Sequence, residues 1–396
     1  MRDRLRAVAW ADLATVLGLL GGWRVATWLF ALLAATSVEG DGFYPPTTAT
    51  EFFNRALLQG EALWHVWIAQ AGYDPAAHGP NAAAFPPLFA LLIRLASPLV
   101  PSWSLAGALI AHGALLGALL YLIALVRLDA DRDTGLRAVA AALLWPAAPF
   151  LGVVYPESLL LLTVTAAIYH ARRGQWARVA CWAALAGLTR GFGLLLVVPL
   201  LAEWLTQRHT RVGVTPWQRL LGPLAVVAAP LGFCGFLAWL GWRVGSPLAF
   251  FRAQEALSAG NLRGALGLRT LLDLPAILAD AAPAIRGYPA SASAFPTTLI
   301  PALIDAAILG LVALAGLWLT FRSRRSYGLF VLGGALAVAL LAGLPGSARH
   351  LLALAPLYLA LAAWTRRPVT GYLFAMLGLA LLALTLFLYV NGFWAG

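Results

Sequence analysis

Apolar runs of 18 or more residues return along this 396-residue chain, parted by short loops that carry arginine. A run of that length is what a helix needs to cross the hydrocarbon core of a bilayer. A chain with many such runs is expected to be an all-α polytopic membrane protein rather than a soluble domain. Composition agrees, with 61% of residues hydrophobic and 11% charged, where a soluble protein carries about 25% charged residues.

The formal charge of +11 rests on arginine alone, because no lysine occurs. Such an excess would suit nucleic acid, but the arginines gather in short loops, where the positive-inside rule uses them to set orientation. No nucleic-acid partner is expected. Cys181 and Cys234 both sit inside apolar runs, so neither a disulfide framework nor a metal knuckle is implied. The start, MRDRLR before a long apolar run, mimics a secretory signal, but the run is too long and reads as an uncleaved anchor. Arginine as the only long cation, with abundant Ala, Leu and Gly, suggests a GC-rich bacterial genome and hence a bacterial cytoplasmic membrane.

Placing the arginine-rich loops in the cytosol yields one single-domain path over residues 1–396. A first span at 14–37 leads to an extracytoplasmic loop, 38–102. Spans two to seven occupy 103–243, at about 103–126, 137–153, 157–171, 177–189, 191–206 and 219–242. A second large outer loop, 244–296, precedes spans eight to eleven within 297–391, at about 297–321, 327–344, 349–365 and 370–391. The expectation is eleven spans, a cytosolic N-terminus and an extracytoplasmic C-terminus. Residues 84–101 are apolar enough to be a twelfth span. Counting them would put ARRGQWAR, FRSRRS and WTRRPV outside, so they are laid along the outer leaflet, broken at Phe85-Pro86-Pro87.

The first outer loop is expected to hold an interfacial helix at about 50–71. Phe53, Ala56, Leu57, Trp64, Trp67, Ile68 and Ala71 recur there at helical spacing, and tryptophan favours the headgroup level. On that helix Glu61 and His65 are neighbours at i and i+4.

The string Glu61-(x)2-Trp64-(x)3-Ile68-Ala69-(x)2-Gly72-Tyr73, followed by Ala84-Phe85-Pro86-(x)3-Ala90-Leu91-Leu92-Ile93-Arg94, resembles the first luminal loop of the PIG-V family, GPI mannosyltransferase II and its bacterial relatives. Tyr155-Pro156-Glu157-Ser158-Leu159, Leu188-Thr189-Arg190-(x)2-Gly193, Gly245-Ser246-Pro247-Leu248-Ala249-Phe250 with Gln254, and Arg349-His350 resemble further family motifs, in the family's order. The resemblance implies a GT-C glycosyltransferase with about 11 transmembrane helices. Such an enzyme takes a sugar, mannose in this family, from a polyprenyl-phosphate donor outside the membrane and inverts the anomeric centre. It also implies a lipid-linked or cell-surface glycan acceptor. The main departure from the family is at the base, with Gln59-Gly60-Glu61 where the family has Arg-Trp-Asp, and His350 stands where the family has a tyrosine.

That chemistry needs a carboxylate to accept the acceptor hydroxyl's proton and cations to hold the departing phosphate. The catalytic candidates are Glu61, its neighbour His65, and Asp41 beside Glu39 at the mouth of the first span, where other GT-C enzymes place a carboxylate. Arg190 and Arg349 lie at outer turns, where the arginine rule gives no reason for them, and are expected to bind the donor phosphate together with His350 and Arg252. Trp64, Tyr73, Glu157 and Gln254 are the substrate-binding candidates. Arg24, inside the first span, is expected to snorkel or pair within the bundle, and Asp305 to be a solvated helix end. A divalent cation, Mg²⁺ or Mn²⁺, would suit a carboxylate-bearing loop, but no outer-face cluster has ligand spacing, so no metal ligand is assigned. A transporter or flippase for lipid-linked sugars, and a catalytically silent relative that binds a polyprenyl lipid, stay open.

Overall fold

The computed structural model describes residues 2–37, 46–208, 216–259, 295–342 and 346–392, and among these every regular element is helical. Helix α1 (Arg2–Thr36) leads into a first loop with four short helices, α2 (Ala49–Leu57), α3 (Ala62–Ala71), α4 (Pro75–His78) and α5 (Leu88–Ala96). Then come α6 (Trp103–Val126), α7 (Arg132–Leu143), α8 (Glu157–Arg172), α9 (Trp176–Thr189), α10 (Val197–Gln207), α11 (Pro216–Val226), α12 (Ala228–Val244) and α13 (Ala249–Ala259). The last group is α14 (Phe295–Arg322), α15 (Arg325–Ala337), α16 (Ser347–His350), α17 (Ala355–Trp364) and α18 (Pro368–Val390).

The eleven expected segments are not all single continuous helices. Among the described residues only four helices are long and apolar enough to cross a membrane alone, within α1, α6, α14 and α18, with α11 and α12 a fifth if that pair, bent by 56°, is one span. Proline explains most of the breaks, since it lacks the N–H and clashes with the carbonyl four residues back. Residues 137–153 do not form one helix: α7 ends at Leu143, just before Trp145-Pro146, and a 3₁₀ turn follows at Ala148–Leu151. Pro223 and Pro230 flank the α11–α12 bend. Residues 191–206 open as a 3₁₀ turn, Gly191–Leu196, and the described part of 327–344 closes with a single π turn, Val338–Ala342. The 349–365 segment is α16, a 3₁₀ turn and α17. Irregular backbone at membrane depth is tolerated only inside protein or along a cavity, and three of these turns, Ala148–Leu151, Gly191–Leu196 and Leu351–Ala353, supply residues to the site described below.

The first loop also differs from one continuous helix over 50–71. Gly60 takes a left-handed φ of +58° and separates α2 from α3. Residues 84–101 form α5 and a 3₁₀ turn, Ser97–Leu99; the nine residues of α5 rise only about 14 Å.

Small residues close the helix packing. A Cβ built on Gly187 of α9 would lie 2.1 Å from the Ala229 carbonyl of α12, so those backbones meet at a distance only glycine permits.

Polar side chains gather at two ends. At the arginine-loop end, Asp12 of α1 takes Arg127 and Arg132 at 2.7 and 2.6 Å, and Asp129 takes Arg172 and Arg324. Nearby Glu203 accepts from Ser326 at 2.6 Å. At the opposite end Asn391, just past α18, donates to the Ala34 carbonyl of α1 at 3.1 Å, and the Gln59 N–H donates to the Tyr389 hydroxyl at 3.2 Å. Helices α1 and α18 therefore finish at the same end and run parallel.

Candidate active site

The site lies at the Tyr389 end, where the first loop meets three helix breaks. Its foundation is a glycine. At Gly60 the chain must turn left-handed, and a Cβ there would stand 2.8 Å from the Tyr155 hydroxyl, so both the turn and the close approach require glycine. That hydroxyl accepts from the Glu61 N–H at 2.9 Å and donates to the Gln59 carbonyl at 3.1 Å. The start of α3 is thus fixed against the segment that leads into α8.

Glu61 occupies the N-cap position of α3 but makes no side-chain cap. Its carboxylate turns to arginine instead, accepting from Arg349 Nη2 at 2.7 Å and lying 3.6 Å from Arg190 Nη2. Arg190, at the C-cap of α9, also pairs with Glu157, the first residue of α8, and Arg349 Nε stands 3.9 Å from the same carboxylate. Two acids and two guanidiniums thus alternate. The Arg349 and Glu157 side chains are 4% and 3% exposed, that of Glu61 32%, so Glu61 is the member that water and substrate reach. Burial pushes the Glu61 carboxyl up, but Arg349 and then Arg190 outweigh it and hold the group well below the usual carboxylate range.

Arg349 is held by a device that the sequence does not announce. Asp305 on α14, expected to be a solvated end, is 7% exposed and accepts from the Gly346 N–H at 3.0 Å, the Ser347 hydroxyl at 2.8 Å and the Ala348 N–H at 3.3 Å. Trp145 Nε1 donates to the Ala348 carbonyl at 2.8 Å. These bonds pin the short α16, whose third residue is Arg349. Its guanidinium also lies 5.5 Å from the ring centres of Phe150 and Tyr155.

A narrow cleft runs beside the cluster, lined by Glu157, Arg190, Phe192, Arg349, His350 and Leu352 among others. His350 stacks on Phe192 with ring centres 5.0 Å apart and planes within 8°. Glu157 Oε2, Arg349 Nε and His350 Nδ1 are buried there without hydrogen-bond partners. Buried polar atoms are rarely left so; of the three, Arg349 Nε is a donor, Glu157 Oε2 an acceptor, and His350 Nδ1 takes either role with its tautomer.

The structure brings Glu61, Glu157, Arg190, Arg349 and His350 together. His65, one turn beyond Glu61, is buried against the edges of Phe85 and Phe89, and burial lowers it to about 3. Trp64 stacks on Phe85, half-buried, at the rim of that aromatic box. Tyr73 is instead a packing residue: buried, its hydroxyl donates to the Phe85 carbonyl, and its ring meets Phe236 and Trp239. Gln254 of α13 donates to the Ala84 carbonyl at 2.9 Å and so ties α13 to the first loop. Arg252 is exposed on α13 while Ala253 takes the buried position, so it is not among the cleft residues. Asp41 and Glu39 lie outside the described residues. Arg24 lies over the Trp28 ring at 4.3 Å. Sequence reasoning missed Phe192 and Tyr389; neither carries a charge or motif signal of its own.

Comparison with solved structures places this fold. ArnT from Cupriavidus metallidurans bound to undecaprenyl phosphate is similar, with a TM-score of 0.52 and 14% identity over 92% of this chain, which spans 63% of ArnT's length. The Archaeoglobus fulgidus oligosaccharyltransferase AglB, in complex with an inhibitory peptide and a dolichol-phosphate, aligns with a TM-score of 0.43 and 16% identity over 94% of this chain and 56% of its own. No curated protein matches. Residues 42–230 match the family model described as Mannosyltransferase (PIG-V). The matched segment resembles that family and holds Glu61, Glu157 and Arg190, while the ArnT likeness is one of fold.

Proposed function

We propose that the protein is an inverting glycosyltransferase that moves a sugar, mannose by family kinship, from a polyprenyl-phosphate donor to a lipid-linked or cell-surface acceptor. The transfer would occur on the extracytoplasmic face of a bacterial cytoplasmic membrane, with Glu61 as the base. The observation that carries this reading is the meeting of Glu61, at the family's aspartate position, with Arg190 and Arg349 beside a cleft of unpartnered polar atoms. In-line displacement needs that arrangement: the acceptor oxygen attacks the anomeric carbon, its proton passes to the carboxylate, and the phosphate leaves onto the guanidiniums. Arg190 and Arg349 would hold the phosphate, with His350 and the Phe192 ring beside it.

A divalent cation does not fit the described residues. None of them form a group of three or more His, Cys, Asp or Glu side chains, and Glu61 and Glu157 are both engaged by arginine, whereas such a cation seeks several free oxygens. No step is routed through a metal.

The test is transfer from radiolabelled polyprenyl-phosphate-mannose by purified protein in nanodiscs against membrane-extracted acceptors, wild type beside Glu61→Gln. Removing a general base is expected to slow transfer about 10²–10⁴-fold with donor binding retained. Equal turnover in the two proteins would refute the assignment of Glu61. Donor binding by wild type without turnover, repeated across a panel of sugars, would select a silent relative.

A further inference from the structure

His65 is the polar side chain that the resting site leaves unused. It is 1% exposed, and neither ring nitrogen has a hydrogen-bond partner. Phe85 and Phe89 meet its ring edge to face, with centres 5.3 and 5.2 Å away. A buried group left unsatisfied in this way costs about 1–3 kcal/mol, and phenylalanine would fill the same box without that cost. A second arrangement in which the imidazole gains a partner would account for it.

The groups that face His65 define that arrangement. Glu61 precedes it by one turn, on the same side of α3, and the other charges that act on it are Arg190 at the α9 C-cap and Arg349 of α16. In the resting state both arginines are occupied by carboxylates. A phosphate entering the cleft brings more oxygen acceptors and up to two negative charges to the same guanidiniums, so it competes with Glu61 for Arg349. The carboxylate, the most accessible member of the cluster, is the one free to move.

Resting on the transferase reading above, we propose that His65 is the second partner of Glu61: phosphate bound at Arg190 and Arg349 releases the carboxylate, which then accepts a hydrogen bond from the His65 ring. Paired with the two cations the carboxylate is quenched and is a weak base. With the phosphate in place it is freed and oriented by His65, a positioning residue, toward the acceptor. The arrangement makes binding ordered, phosphate-bearing donor before acceptor.

The proposal is tested by proton linkage, which does not depend on turnover. Undecaprenyl phosphate is titrated calorimetrically into the full-length protein in nanodiscs at pH 6.5, in buffers of different ionisation enthalpy, for wild type, His65→Phe and His65→Gln. The resting ring sits at about 3. If it regains the ordinary imidazole value of about 6.5 beside the freed carboxylate, wild type takes up roughly half a proton more per phosphate than either variant. His65→Phe fills the aromatic box, and His65→Gln keeps a hydrogen-bond donor but cannot titrate, so loss of the extra proton in both assigns it to the ring. Equal proton counts in all three proteins would overturn the proposal and leave the transferase reading to its own turnover assay. Failure of wild type to bind undecaprenyl phosphate would overturn both.

Discussion

The ion pair between Arg349 and Glu61 offers the sharpest check on the geometry of the site. Arg349→Ala removes a guanidinium whose side chain is 4% exposed and which lies 2.7 Å from Glu61 and 3.9 Å from Glu157. Breaking a fully buried pair costs about 3–5 kcal/mol, because a charge is stranded. Glu61 is about a third exposed, so solvent screens part of that penalty. Losing the contacts with the Phe150 and Tyr155 rings adds about 0.5–1 kcal/mol. The expected destabilisation is about 3 kcal/mol for Arg349→Ala. A double-mutant cycle with Glu61→Gln should give a coupling of about 1–2 kcal/mol, because the second substitution removes one of the stranded charges. Reversible unfolding in mixed micelles measures all four proteins. Additivity to within about 0.5 kcal/mol would refute the pairing.

Three further outcomes follow from neighbouring contacts. Asp305→Asn should loosen α16 and weaken polyprenyl-phosphate binding several-fold, with a smaller effect on turnover of bound donor; unchanged donor affinity would remove Asp305 from the support of Arg349. Gly60→Ala should destabilise by about 2–4 kcal/mol, from about 1–2 for the left-handed backbone and about 1 for each Tyr155 hydrogen bond displaced, measured by the same unfolding assay. His65 has a folded value below its unfolded one, so its contribution is complete above about pH 6.5 and is lost as pH falls toward about 3. Between those limits wild type should therefore lose about 1.4 kcal/mol per pH unit relative to His65→Phe, read from thermal or detergent unfolding at stepped pH. Parallel pH dependences would show that the ring is not held neutral.

How much of this site was legible in the sequence can be judged residue by residue. Arg190 and Arg349 stood out because the positive-inside rule gave no reason for arginine at those turns, and the structure sets both against Glu61. Glu61 stood out through its place in the Glu61-to-Tyr73 string. Asp305 was misread, because an acid near a helix end looks solvated until the chain that folds back onto it is known; Gly346, Ser347 and Ala348 lie some 40 residues away. Tyr73 shows a different limit: an aromatic in a motif can serve a binding site or the packing beneath it, and in the structure it is buried with its hydroxyl on the Phe85 carbonyl.

The sequence by itself determined that the chain is a helical membrane protein, since apolar length and arginine spacing are local properties and the bilayer permits few other solutions. It also carried the resemblance to the PIG-V family, through strings of residues close together along the chain, and residues 42–230 match that family's model. Only the tertiary structure decided which apolar runs are continuous helices, because a proline or glycine inside a run can be absorbed, kinked or turned into a 3₁₀ segment according to what packs around it. Only the tertiary structure, too, decided that Glu61, Glu157, Arg190 and Arg349, drawn from a span of nearly 300 residues, share one set of charges. An ion pair depends on distance in space, and sequence separation does not encode that distance.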